Sequence, residues 1–170
     1  MNKATVLKEI IEERRSIFPK DYTDTEISQE VIDEILHSAT LAPNHKRTKP
    51  WRFKIFKGEE KAQLASEMQA IYKATQPEQL FLEKKYNDIG FKINKANVVV
   101  SIVVNFSGML PEWEEIAATS MAVQNMYLSC TANNIGCYWS SPSIVNALKE
   151  SLTIEENQKC LGLFYMGKLD

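Results

Sequence analysis

From Ile116 to Leu148 the chain carries no charged residue. A segment of that length without Asp, Glu, Lys or Arg cannot lie fully in water and has to be covered by protein or by lipid. Gln124, Asn125, Asn133, Asn134 and several Ser and Thr interrupt it, and it holds no apolar run of about 18 residues, the length a membrane span needs. The expectation is therefore a helix buried on nearly all sides inside a soluble core. Pro111 starts it, Glu112, Glu114 and Glu115 suit its positive end, and Asn133-Asn-Ile-Gly136 stops it.

The rest of the chain supplies layers to surround that helix. Val98-Val-Val-Ser-Ile-Val-Val104 is an apolar, β-branched run, the pattern of a strand covered on both faces. Trp51-Arg-Phe-Lys-Ile-Phe56 alternates as a strand with one wet face, with Gly58 as a turn after it. Cys137-Tyr-Trp139 reads as a short strand, and Leu161-Gly-Leu-Phe-Tyr-Met166 as the last one, ending at Gly167. Helical spacing covers Val6 to Arg14, with Thr5 as N-cap, and runs on from Ser28 until Pro43 stops it. It recurs from Glu59 to Tyr72, and Pro77 suits the first position of a helix reaching Tyr86 or beyond. Ser143 is expected to cap a small helix through Leu148. The pattern predicts an α+β layered domain.

Composition narrows the function classes. The 170 residues suit one domain, taken as residues 1–170, and burying about 70% of the unfolded surface needs no staples. With 20 Lys+Arg against 22 Asp+Glu, no general positive field exists to grasp a nucleic acid. Cys130, Cys137 and Cys160 form no C-x-x-C pair and only His37 and His45 could join them, so neither a zinc site nor a disulfide framework is expected. Charges scattered through the first fifteen residues rule against a signal peptide, which with reduced thiols points to the cytoplasm.

Three segments are rich in groups that bind ligands. Arg14-Arg15-Ser16 offers two guanidinium forks and a hydroxyl, donors suited to a phosphate dianion, although cations at a helix end also serve its dipole. Ala42-Pro-Asn-His-Lys-Arg-Thr-Lys-Pro-Trp51 is a polar loop stiffened by two prolines, suited to a heterocycle's carbonyls or a phosphate, or else an ordinary surface connection. Tyr138-Trp-Ser-Ser-Pro142 combines a flat aromatic face with hydroxyls, and alone reads equally as core plus a capped turn. No P-loop, G-x-S-x-G, H-E-x-x-H or G-x-G-x-x-G is present. Cys130 and Cys137 read as structural thiols, and Glu114-Glu115 as an acid pair serving the helix end.

The order of these pieces resembles the nitroreductase family of flavoproteins, above all its short branch: Arg-Arg-Ser, then Ala-Pro-Asn-His-Lys ahead of Pro-Trp-Arg-Phe, then a charge-poor helix with Gln124-Asn125, then Gly136 and Trp139, then Gly-Leu-Phe-Tyr-Met-Gly. The resemblance spans about Val6 to Gly167. It implies a homodimer of helix-rich α+β subunits around a mixed, mostly antiparallel sheet, with FMN at the subunit interface. NADH or NADPH would give hydride to the flavin, and a small acceptor such as a nitroaromatic or quinone would then take the electrons.

By the same resemblance Arg14, Arg15 and Ser16 hold the ribityl phosphate and the ring's polar edge. His45 and Lys49 reach the flavin from the other subunit, Asn44 also belongs to the cofactor site, and Trp139, Ser140 and Ser141 line the ring and its tail. Residues 129–134 meet the nicotinamide. Relatives continue beyond the last strand with a basic tail that helps hold phosphate; here Lys168 alone stands in for it, implying a weaker hold. No protein nucleophile is implied, because the flavin carries the chemistry. The alternatives are a relative with a specialised, non-nitro substrate, a flavin-binding sensor or storage protein, and a helical interaction domain binding no flavin.

Overall fold

A computed structural model describes residues 2–148 and 150–170. Helix α1 spans Lys3–Glu13, α2 Gln29–Thr40, α3 Gly58–Thr75, α4 Glu83–Lys95 and α5 Glu112–Ala132. The strands are β1 Trp51–Phe56, β2 Val98–Asn105, β3 Ile135–Ser140 and β4 Gln158–Lys168. Among the described residues the strands form one four-stranded sheet in the order β1-β2-β4-β3. Every pairing is antiparallel, so the expected mixed sheet is corrected to a purely antiparallel one within this chain.

The sheet divides the core in two. Val98, Val100 and Ile102 face α2 and α5, packing with Ile32, Ile35, Ala122 and Met126. Val99 and Val103 point the other way, onto Leu64 and Met68 of α3 and Ile93 of α4. Side chains alternate sides along a strand, so a strand with both faces covered has to be apolar at every step. That is why the Val98 run reads as continuous rather than alternating.

The local signals place most boundaries. Ser28 caps α2, its hydroxyl accepting from the Val31 N–H at 3.4 Å. The cap of α1 is Asn2, accepting from Ala4 at 3.1 Å, and not Thr5, which lies inside the helix. Pro77 does not open a long helix: a 3₁₀ turn at Glu78–Leu80 intervenes before α4. Ser143 is the first residue of a 3₁₀ turn, Ser143–Ala147, rather than its cap.

The burial of α5 differs from expectation. Ala118, Ala122, Val123, Met126 and Cys130 form its buried stripe, the side that α2 and the sheet cover. Its other side stays open in the single chain, with Met121 41% exposed and Gln124 exposed. Beside it α1 buries no residue, leaving Leu7 and Ile11 open to water.

Two glycine contacts tie the edge strand down. Gly136 and Gly167 pair across β3 and β4 beneath the Tyr22 ring, where a Cβ on Gly167 would stand 2.1 Å from Tyr22 Cδ2. At the bulge opposite Ile102 and Val103, Gly162 adopts φ +136°, and a Cβ would meet the Ser140 carbonyl oxygen at 2.3 Å. Only glycine allows either approach.

Candidate functional site

One tyrosine joins two of the three donor-rich segments. Helix α1 ends at Glu13, and Arg14 turns the chain into extended backbone while its N–H still reaches the Ile10 carbonyl at 3.0 Å. The chain then docks on β3 through the Ile17 N–H and the Cys137 carbonyl, 2.9 Å apart. This brings the Arg14 guanidinium over the Tyr127 ring, 5.4 Å from its centroid, and Ser16 Oγ to 3.5 Å from the Tyr127 hydroxyl. The same hydroxyl accepts the Trp139 backbone N–H at 2.7 Å, and Phe164 packs edge-on against the ring. The Trp139 indole in turn donates to the Leu161 carbonyl at 3.2 Å. Sequence reasoning missed Tyr127; the available signal was a phenol inside a charge-free helix, which needs a partner for its hydroxyl.

The second cluster is the loop between α2 and β1. Asn44 stitches it shut, its Oδ1 accepting from the Lys49 N–H at 2.9 Å and its Nδ2 donating to the Ala42 carbonyl at 3.3 Å. Inside it Lys46, Arg47 and Lys49 hold φ of 51°, 55° and 46°, left-handed values that non-glycine residues seldom adopt. Such strain persists where the surroundings impose it and clusters at ligand-binding segments. His45 Nδ1 lies 2.7 Å from Glu114 Oε2, tying the loop to the start of α5. Glu114 thus serves an imidazole, while buried Glu115 accepts the Ser107 N–H at 2.9 Å.

These clusters do not meet within one chain. Glu114 and Tyr127 are thirteen positions apart on α5, about 20 Å along its axis at about 1.5 Å per residue. Among the described residues, no carboxylate forms an ion pair with Arg14, Arg15, Lys46, Arg47 or Lys49. Arg15 instead donates to the Glu12 and Arg14 carbonyls. The cations at both ends of α5 are therefore outside any ion pair among the described residues.

Trp139 and Ser140 point to opposite faces of β3. Trp139 packs with the α5 side of the sheet, whereas Ser140 lines a cavity of about 250 Å³ between β3, α3 and α4. Tyr72, Lys85, Lys92, Tyr138 and Tyr165 share that cavity. Tyr138 and Tyr165 stack at 4.7 Å; burial pushes the Tyr138 phenol up to about 12 and Tyr165 higher still, so both keep their protons at neutral pH. Lys85 and Lys92 were missed from sequence, although they share a helix face with buried-side Ile89 at i, i+4 and i+7. Ser141 is exposed just beyond the strand.

Lys168 stands apart from Trp139. Its backbone bonds Asn97 and Thr23 at the end of β4, four positions from Phe164, the partner of Trp139, or about 13 Å along the strand. In residues 129–134, Asn133 ends α5 and donates to the Ser129 carbonyl at 3.0 Å. Cys130, Cys137 and Cys160 are free and buried, and burial pushes the Cys130 and Cys160 thiols up, away from thiolate chemistry. No helix among the described residues is long and apolar enough to cross a membrane.

The nitroreductase family model matches residues 11–168. Among curated proteins, YfhC of Bacillus subtilis is 29% identical over 176 residues, covering 100% of this chain and 88% of its own length. Among solved structures, a nitroreductase-like family protein from Bacillus cereus superposes with a TM-score of 0.80 at 25% identity, covering 100% of this chain and 89% of that one. The FMN-dependent nitroreductase NfnB of Mycobacterium smegmatis, solved in complex with NADPH, gives a TM-score of 0.78 at 17% identity. It covers 99% of this chain and 90% of that one, a likeness of fold alone.

Proposed function

The chain belongs to the nitroreductase family, and from that premise we propose that it is an FMN-dependent NAD(P)H oxidoreductase acting on small organic acceptors such as nitroaromatics or quinones. The observation that carries the reading is the split of donor groups between the two ends of α5. One chain alone leaves half a site at each end. A second copy packed antiparallel along the open, uncharged face of α5 brings the His45 loop of one subunit to the Tyr127 end of the other, completing two identical sites.

The donor set suits FMN. Arg14 and Arg15 carry charge that no carboxylate neutralises among the described residues, and with the Ser16 hydroxyl they match a phosphate dianion. The cavity beside Ser140 lies on the opposite face of β3 from Trp139 and carries Asp88 beside Lys85 and Lys92, so it stands outside this donor set. Trp139 and the apolar side of α5 provide a wall that excludes water.

FMN held by these residues would supply the redox chemistry between the nicotinamide donor and the acceptor. The chain's residues bind, orient and tune. Lys49, exposed and without a carboxylate partner among the described residues, offers positive charge to the ring's polar edge from the neighbouring subunit. Asn44 is committed to holding its own loop, so its contribution is to shape the turn that presents His45 and Lys49. Glu114 fixes the His45 ring, which acts as a positioning donor. No side chain has to act as acid, base or nucleophile.

The test is an absorption spectrum of the purified protein before and after incubation with FMN and desalting, followed by anaerobic addition of NAD(P)H. Flavin bands retained at about one per chain, bleached by the donor and restored by a quinone, are expected. A protein that binds FMN without bleaching would be a sensor or store, and one that retains none would overturn the reading.

A further inference from the structure

Residues 46–52 carry Lys46, Arg47, Lys49 and Arg52 and no acid, in a chain whose net charge is −2. Glu114, the carboxylate that reaches this loop, is engaged with His45. Arg52 is spent on the Lys49 and Trp51 carbonyls, both at 2.8 Å. Lys49 is assigned to the ring, and the flavin phosphate is answered by Arg14, Arg15 and Ser16. Lys46 and Arg47 remain. Both are exposed, neither is in an ion pair among the described residues, and both sit in left-handed backbone at φ 51° and 55°.

Resting on the FMN reading above, we infer that Lys46 and Arg47 form a second phosphate site, and that it selects the 2′-phosphorylated donor, NADPH, over NADH. A guanidinium fork beside an ammonium matches a phosphate monoester, which carries up to two charges and three free oxygens. The pyrophosphate bridge is common to both donors, so it does not discriminate. The 2′-phosphate is the one feature that only NADPH brings, and cations left over after the flavin phosphate is bound act selectively on it. Strained backbone at two adjacent cations fits a segment shaped for a ligand rather than for its own stability.

The test uses the FMN-loaded protein and two adenine nucleotides as probes, titrated calorimetrically at low salt. Adenosine 2′,5′-bisphosphate should bind at least about tenfold more tightly than 5′-AMP, the worth of one charge-assisted hydrogen bond, and the gap should shrink as salt is raised. Lys46→Gly and Arg47→Gly should each reduce that gap several-fold; glycine accepts the left-handed backbone, so unchanged or raised melting temperatures would show that the fold is kept. Equal binding of the two nucleotides, or a gap untouched by both variants, would overturn the assignment. So would Arg47→Gly weakening a nitrobenzoate acceptor relative to nitrobenzene while sparing the bisphosphate, which would assign the cations to anionic acceptors. Bleaching of the flavin by NADH as readily as by NADPH overturns the donor preference alone; bleaching by neither overturns the oxidoreductase reading and this inference together.

Discussion

The Tyr127 hydroxyl accepts the Trp139 backbone N–H at 2.7 Å, locking the C-terminal end of α5 to β3 at the point where Arg14 and Ser16 also converge. Tyr127→Phe removes that acceptor and leaves a part-buried N–H unpaired. Stability should fall by about 1–3 kcal/mol, the cost of an unsatisfied buried donor. FMN retention should weaken as well, because Arg14 and Trp139 lose their shared anchor. Urea denaturation and an FMN titration read the two effects separately; unchanged FMN affinity would detach Tyr127 from the site.

Glycine substitutions should separate strain from crowding. Gly58 has φ +51° with open space around it, so Gly58→Ala should cost only the left-handed penalty, about 1–2 kcal/mol. At Gly167 a Cβ would collide with the Tyr22 ring at 2.1 Å, and at Gly162 with the Ser140 carbonyl at 2.3 Å. Both alanine variants should be destabilised well beyond Gly58→Ala, and thermal melts of the three test the order.

Lys49→Gln should lower the reduction potential of bound flavin, because a positive charge near the ring favours the electron-rich state. A loss of about 1.4 kcal/mol in the reduced form corresponds to roughly 30 mV for a two-electron couple. Spectroelectrochemical titration measures it, and an unchanged potential would remove Lys49 from the ring's surroundings.

Met121 lies on the open face of α5, 41% exposed. If a second copy covers that face, Met121→Glu buries an unpaired carboxylate at the interface and should convert dimer to monomer, with loss of FMN. Sedimentation velocity distinguishes the species. A wild-type monomer that retains FMN would rule out the shared site.

Burial raises the Tyr22, Tyr138 and Tyr165 phenols above their ordinary value of 10.0, Tyr138 to about 12. A group with a raised folded pKa contributes stability that is fully present below its unfolded pKa and lost as pH climbs through the folded one. Stability should therefore hold up to about pH 10 and decline from there through about pH 12, the window set by Tyr138. In a phenolate absorbance titration, these three of the six tyrosines should stay silent until the protein unfolds.

Short-range chemistry is what the order of residues makes legible. Alternation marked β1 from Trp51 to Phe56 at its observed limits, the β-branched run marked β2, and a serine cap marked α2. The shared order of Arg-Arg-Ser, the proline-bracketed loop and the charge-poor helix carried the family. Tertiary structure alone decided how those pieces meet. The phenol that joins Arg14 to Trp139 is paired across more than a hundred residues, and the cavity cations Lys85 and Lys92 come from a helix that bears no motif. Trp139 and Ser140 are adjacent in sequence and the family resemblance assigns both to one surface, yet the pleat turns them to opposite faces. The open side of α5 was hidden for a related reason. A missing charge says that a surface is covered, but not whether the cover comes from the same chain or from a second copy.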